Sequence, residues 1–120
     1  MRGVVSLAGV ADLGWAVAAD LGDGAAEAFL GVAPERDSEG RYARADPARL
    51  LPIGLPAICV HGGLDEHVPV DCAAAYVAAA REAGDPAELR VLDWEDHFSV
   101  VTPGSPAWPH VLRATADLLT

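Results

Sequence analysis

The 120-residue chain contains no lysine; arginine supplies all eight basic residues against 18 acidic ones, giving a formal net charge of −10. A surface of that sign repels phosphate backbones and anionic headgroups, so neither nucleic acid nor a membrane is expected as a partner, and small neutral molecules fit better. No apolar run reaches the roughly 20 residues that a membrane-spanning helix needs. Arg2 followed by Val4 to Ala11 and by Ala16-Val17-Ala18 imitates a signal peptide, but Asp12 and Gly14 interrupt it. A cytoplasmic location is therefore expected, where the two cysteines, Cys59 and Cys72, stay reduced. A dinucleotide fingerprint is also missing, since Gly22-Asp23-Gly24 lacks both a preceding strand and a third glycine. No cofactor is expected, and no internal repeat is visible.

The chain has a hydrophobic fraction of 52%, enough for one folded α/β domain over residues 1 to 120. Residues 1 to 9 read as a strand, and 12 to 31 as two short helices broken at Gly22-Asp23-Gly24. The charged stretch from Pro34 to Ala45 reads as an exposed loop. Asp46-Pro47 suits the start of a short helix, with Asp as cap and Pro in the first turn. Pro56-Ala57-Ile58-Cys59-Val60-His61 is apolar and β-branched, and Glu88-Leu89-Arg90-Val91-Leu92 alternates; both read as strands. Between them Val70 to Ala83 reads as the crossover helix, with Asp71 as N-cap and Gly84 as the stop. Strand, helix and strand form one right-handed unit of a parallel sheet. An amphipathic run ending at Leu119 reads as a final helix.

Each of the two later strands is followed by a chemically loaded turn: His61-Gly62-Gly63-Leu64-Asp65-Glu66-His67-Val68-Pro69 after the first and Trp94-Glu95-Asp96-His97-Phe98 after the second. Asp65 and His97 both fall at carboxyl ends of parallel strands, the edge of an open α/β sheet where catalytic side chains converge. They read as the acid and the base of a hydrolytic triad. Singly, Asp65 is a turn-forming residue and His97 a loop histidine; their joint placement favours the paired role. Glu66 and Asp96 are rival acids that read as solvated charges. His61, His67, Asp65 and His97 can be drawn as a metal cluster, but they lack a helical histidine pair and thiolate spacing, so no metal is expected.

These motifs resemble the C-terminal half of an α/β-hydrolase, similar to the esterases related to prolyl oligopeptidase catalytic domains and to kynurenine formamidases. The resemblance implies a partial α/β-hydrolase fold: three parallel strands from the C-terminal part of the sheet with flanking helices. It places Asp65 after the seventh family strand and His97 after the eighth. Gly3 to Val10 resembles the sixth strand, residues 12 to 50 the cap excursion, and Asp46 to Leu51 the short helix leading back. Trp15, Phe29, Leu30 and Trp108 could then touch an acyl group, although ordinary packing describes them as well.

The departure from the family lies in the nucleophile, which needs Gly-x-Ser-x-Gly. None of the four serines, Ser6, Ser38, Ser99 and Ser105, has that context. Cys59 lies inside a strand and Cys72 in a helix turn, where cysteine packs as a small hydrophobe. The His61-Gly62-Gly63 tripeptide resembles an oxyanion-hole sequence, yet it runs into the acid turn, so its glycines are read as allowing a sharp turn. The expected function is therefore the acid-and-histidine part of a serine hydrolase acting on small neutral esters, amides or peptides. The nucleophile-bearing N-terminal half is absent from this chain, as in a truncated frame, a fragment or a split enzyme. The alternative is a non-catalytic interaction module. An unpaired first strand predicts pairing through that edge, with a second copy or with a complementary half, and few helices are available to cover the sheet.

Overall fold

The computed structural model describes residues 1–120 and contains one three-stranded parallel sheet, in the order β1-β2-β3. β1 is Val4–Leu7, β2 is Ala57–Gly62 and β3 is Ala87–Leu92. β2 is the central strand and every residue of it is buried, which is why it reads as an apolar run without polar alternation. Its register with β3 runs from Ala57↔Ala87 to Gly62↔Leu92, so the two strands end at the same level.

The strand pleat divides β2 between two cores. Ile58 and Val60 face one side, where Val100, Ala107, Val111 and Ala114 close over them. The last two belong to α5, Trp108–Leu119, which also packs Trp108 and Leu118 against this core. Cys59 faces the other side, against Ala73, Tyr76, Val77 and Ala80 of α4, Val70–Glu82. One helix thus covers each face, which corrects the expectation that the chain has too little cover. The sheet leaves its strand ends and its two outer edges open. On β1, Val4 and Ala8 donate to Pro56 and Val60 carbonyls at 2.9 and 3.0 Å, so the alternate residues Val5 and Leu7 turn their amides outward.

Between β1 and β2 the chain makes an excursion. α1 (Leu13–Ala18) and α2 (Ala25–Leu30) form as expected, separated by left-handed Asp23 and Gly24. The stretch from Pro34 to Ala45 is not the exposed loop its charges suggested. It holds a 3-10 turn at Pro34–Arg36 and α3 at Arg41–Ala45. Tyr42 is fully buried and donates its hydroxyl to the Val32 carbonyl at 2.8 Å. The Asp37 carboxylate accepts from the amides of Arg41 and Tyr42, and those two bonds hold its pKa below the ordinary value.

The expected N-cap of α4 also differs. Pro69 occupies that place, and Asp71 stands inside the first turn, where its charge meets the positive end of the helix. Gly84, at φ +100°, ends the helix region as read. Cys59 and Cys72 are free and buried, and no helix is long and apolar enough to cross a membrane.

Asp46 joins the excursion to the sheet. It caps the 3-10 turn Pro47–Leu50 by accepting from Ala48 N at 3.1 Å, and it also accepts from Leu13 N at 2.9 Å and Gly14 N at 3.3 Å. The residue is 1% exposed, and its removal leaves three part-buried amides without their acceptor. Asp46→Ala is expected to cost about 2 kcal/mol of stability. Urea unfolding measures that loss, and hydrogen exchange should quicken first at Leu13, Gly14 and Ala48.

Candidate active site

The turns after β2 and β3 are bound to each other before either presents a side chain. Gly63 N donates to Leu92 O at 2.8 Å, and Leu64 N donates to Glu95 O at 3.0 Å. The backbones come so close that a Cβ on Gly62 would collide with the carbonyl of Glu95 and lie 2.6 Å from that of Asp96. A Cβ on Gly63 would sit 3.0 Å from Asp93. Neither glycine has a positive φ, so the sharp-turn explanation is replaced by close approach of two main chains.

On this seam the Asp65 side chain is wholly buried. Its Oδ1 accepts from the amides of His67 and Val68, both at 2.8 Å, and its Oδ2 accepts from His97 Nδ1 at 2.7 Å. Burial pushes the carboxyl pKa up, but the Val68, His97 and His67 hydrogen bonds outweigh it, and the net shift is downward from 3.8. Asp65 is thus held as a carboxylate. The bond to Oδ2 requires the proton of His97 on Nδ1, which leaves Nε2 as an acceptor with no partner in the chain.

His97 is placed by its own turn. Asp96 Oδ1 accepts from Phe98 N at 3.0 Å and Ser99 N at 2.9 Å, starting the 3-10 turn Ser99–Val101. Those two bonds keep the Asp96 carboxyl below its ordinary pKa, so this residue shapes the turn while Asp65 holds the histidine. Glu66 is exposed. The rings of His67, His97 and Phe98 meet pairwise with centroids 5.1 Å apart. Together with Leu64, Glu66 and Asp96 they line an open depression of about 230 Å³.

The other candidates lie elsewhere. Ser99 and Ser105 direct their hydroxyls to the carbonyls of Asp96 and Ser99, and Ser6 is within β1. Burial pushes the Cys59 thiol up to about 11 and raises that of Cys72, so neither is a ready nucleophile. Phe29 is 83% exposed, and neither it nor Trp15, Leu30 or Trp108 lines the depression at His97. His110 is exposed beside Trp94. The residue that sequence reasoning underrated is His61, fully buried with Nε2 3.3 Å from Asp65 Oδ2 and 2.7 Å from Val68 O. A histidine ending an otherwise apolar buried strand was its signal.

The parallel strand-helix-strand unit, with Asp65 after one strand and His97 after the next, fits part of an α/β-hydrolase fold. The solved structures agree. An esterase of the planctomycete Thermogutta terrifontis, with butyrate bound, superposes with a TM-score of 0.60 at 22% identity, over 79% of this chain and 32% of its own. The acylaminoacyl peptidase of Pyrococcus horikoshii superposes with a TM-score of 0.68 at 15% identity, over 99% of this chain and 19% of its own. The chain is a partial α/β-hydrolase fold and spans about a third of that esterase and a fifth of that peptidase. Neither a protein-family model nor a curated protein matches the chain.

Two predictions follow from this geometry. Gly62→Ala forces the two turns apart and should cost about 1 to 3 kcal/mol, as overpacking does, measured by chemical unfolding. Because the Asp65 pKa is lowered on folding, its stabilisation is complete above the ordinary value of 3.8 and is lost as pH falls through the still lower folded value. The stability advantage of the chain over Asp65→Asn should therefore shrink as the pH falls below about 4, read from denaturant midpoints across pH.

Proposed function

We propose that the chain supplies the acid and the general base of a serine hydrolase acting on a carboxylic ester, amide or peptide bond. The observation that carries this reading is the 2.7 Å bond from His97 Nδ1 to the buried Asp65, with Nε2 left unpaired on a ring that lines an open depression. Asp65 fixes the tautomer and stabilises the imidazolium; Nε2 takes the proton of an attacking hydroxyl and returns it to the leaving group. Gly-x-Ser-x-Gly does not occur in these 120 residues, so the hydroxyl comes from a different stretch of polypeptide. Residues 12 to 50 act as the cap, and the negative charge favours small neutral substrates over polyanions. The reading places the chain in the cytoplasm with both thiols reduced.

Joining the chain to a segment that carries a strand, Gly-x-Ser-x-Gly and a helix should yield hydrolysis of a short-chain nitrophenyl ester. His97→Ala should abolish it, and Asp65→Asn should lower turnover by about 10⁴-fold. Hydrolysis that survives His97→Ala contradicts the assignment.

The outward amides of Val5 and Leu7 favour a second reading, in which β1 pairs with another copy or partner and the site is not used. Light scattering after size exclusion distinguishes the two: a stable monomer counts against the interaction module.

A further inference from the structure

The carboxylate that orients His97 is itself gripped from behind. His61 ends β2 with 0% exposure and lies on the same face of the strand as Cys59. Its Nε2 is 2.7 Å from the Val68 carbonyl, which can only accept, so Nε2 carries the proton. Its Nδ1 is buried and has no partner in the protein. A proton placed there would be a stranded donor, and a flipped ring would leave the Val68 carbonyl without its bond, so ring orientation and tautomer are both fixed. The Nε2–H therefore goes to Val68 O, and Asp65 Oδ2 lies 3.3 Å from Nε2 as a close neighbour without a hydrogen bond of its own to this ring. Oδ2 is the same oxygen that receives His97 Nδ1–H at 2.7 Å. Val68 closes the arrangement, because its amide donates to Asp65 Oδ1 at 2.8 Å while its carbonyl accepts from His61.

We infer that His61 is a positioning residue for the Asp65–His97 pair: its Nε2–H fastens the acid turn to the end of β2 at Val68, and Val68 in turn holds the Asp65 carboxylate in place against His97. It does not line the depression at His97, so it acts through Asp65 and never on substrate. A buried histidine that only filled space would be replaceable by any side chain of similar size. This one is set by a single donor at a single ring position. The inference deepens the proposed function and rests on it for its catalytic meaning, but the geometry it describes exists in the chain alone.

The test uses the 120-residue chain labelled with ¹⁵N-histidine and reads the rate at which the His97 Nδ1–H proton exchanges with water. His61→Gln can place an amide N–H near the former Nε2 position, whereas His61→Asn places it near Nδ1 and His61→Phe supplies none. The expected result is slow exchange in the wild type and in His61→Gln, and exchange roughly tenfold faster in His61→Asn and His61→Phe, the loss of the one hydrogen bond that anchors the acid turn. Backbone amide spectra report whether each variant is folded; if His61→Phe does not fold, the Gln and Asn variants decide. Equal rates in those two, whether both slow or both fast, overturn the inference. A clear Gln/Asn split without hydrolysis in the completed enzyme would sink the hydrolase reading and leave this one standing.

Discussion

The hydrogen bond from His97 Nδ1 to Asp65 Oδ2 is the contact on which the rest of the arrangement turns. It joins two residues 32 positions apart, and it exists only because β2 and β3 are paired in parallel and in a register that ends both at one level. Turns leaving two strands at the same height can share main-chain bonds, and here they share Gly63 N to Leu92 O and Leu64 N to Glu95 O. Glycine at 62 and 63 is the steric condition for that approach. The covering helices have a matching role: α4 on one face and α5 on the other close the sheet except at its ends and edges, and Asp65 and His97 stand at one such end.

The electrostatics are unusual for so acidic a chain. A wholly buried carboxylate, in a protein of net charge −10, is kept ionised without any arginine. Its stabilisation comes from two main-chain amides and from one imidazole N–H, dipoles fixed by the fold and not free to pair elsewhere. The arginine ion pairs of the chain lie away from this point, as where Arg90 meets Glu88 and Asp117. A base oriented by fixed dipoles can gain a proton and lose it again without the surroundings having to reorganise.

What the sequence made legible was whatever repeated a simple pattern. The buried run before His61, the strand over Glu88 to Leu92 and the crossover helix all rest on strand and helix periodicity, and all are found. Features that depended on contacts between distant residues stayed hidden. Tyr42 sits in a run of charges that reads as solvated, yet its ring is enclosed and its hydroxyl satisfied by Val32. Asp46 looked like a local cap, whereas two of its three bonds reach back to Leu13 and Gly14. Gly62 and Gly63 suggested a turn, because nothing local announces that another backbone lies against them. His61 shows the same limit, since its acceptor at Val68 becomes visible only once the acid turn is folded.

The central claim is that this chain presents His97 as a preformed base, with its proton on Nδ1 and its Nε2 unpaired. The direct measurement is the tautomer of His97 in the isolated chain near neutral pH, from long-range ¹H–¹⁵N correlation of its ring nitrogens. The account predicts a protonated Nδ1 and an unprotonated Nε2, with that preference lost in Asp65→Ala. A His97 that samples both tautomers freely, or that carries its proton on Nε2, would contradict it.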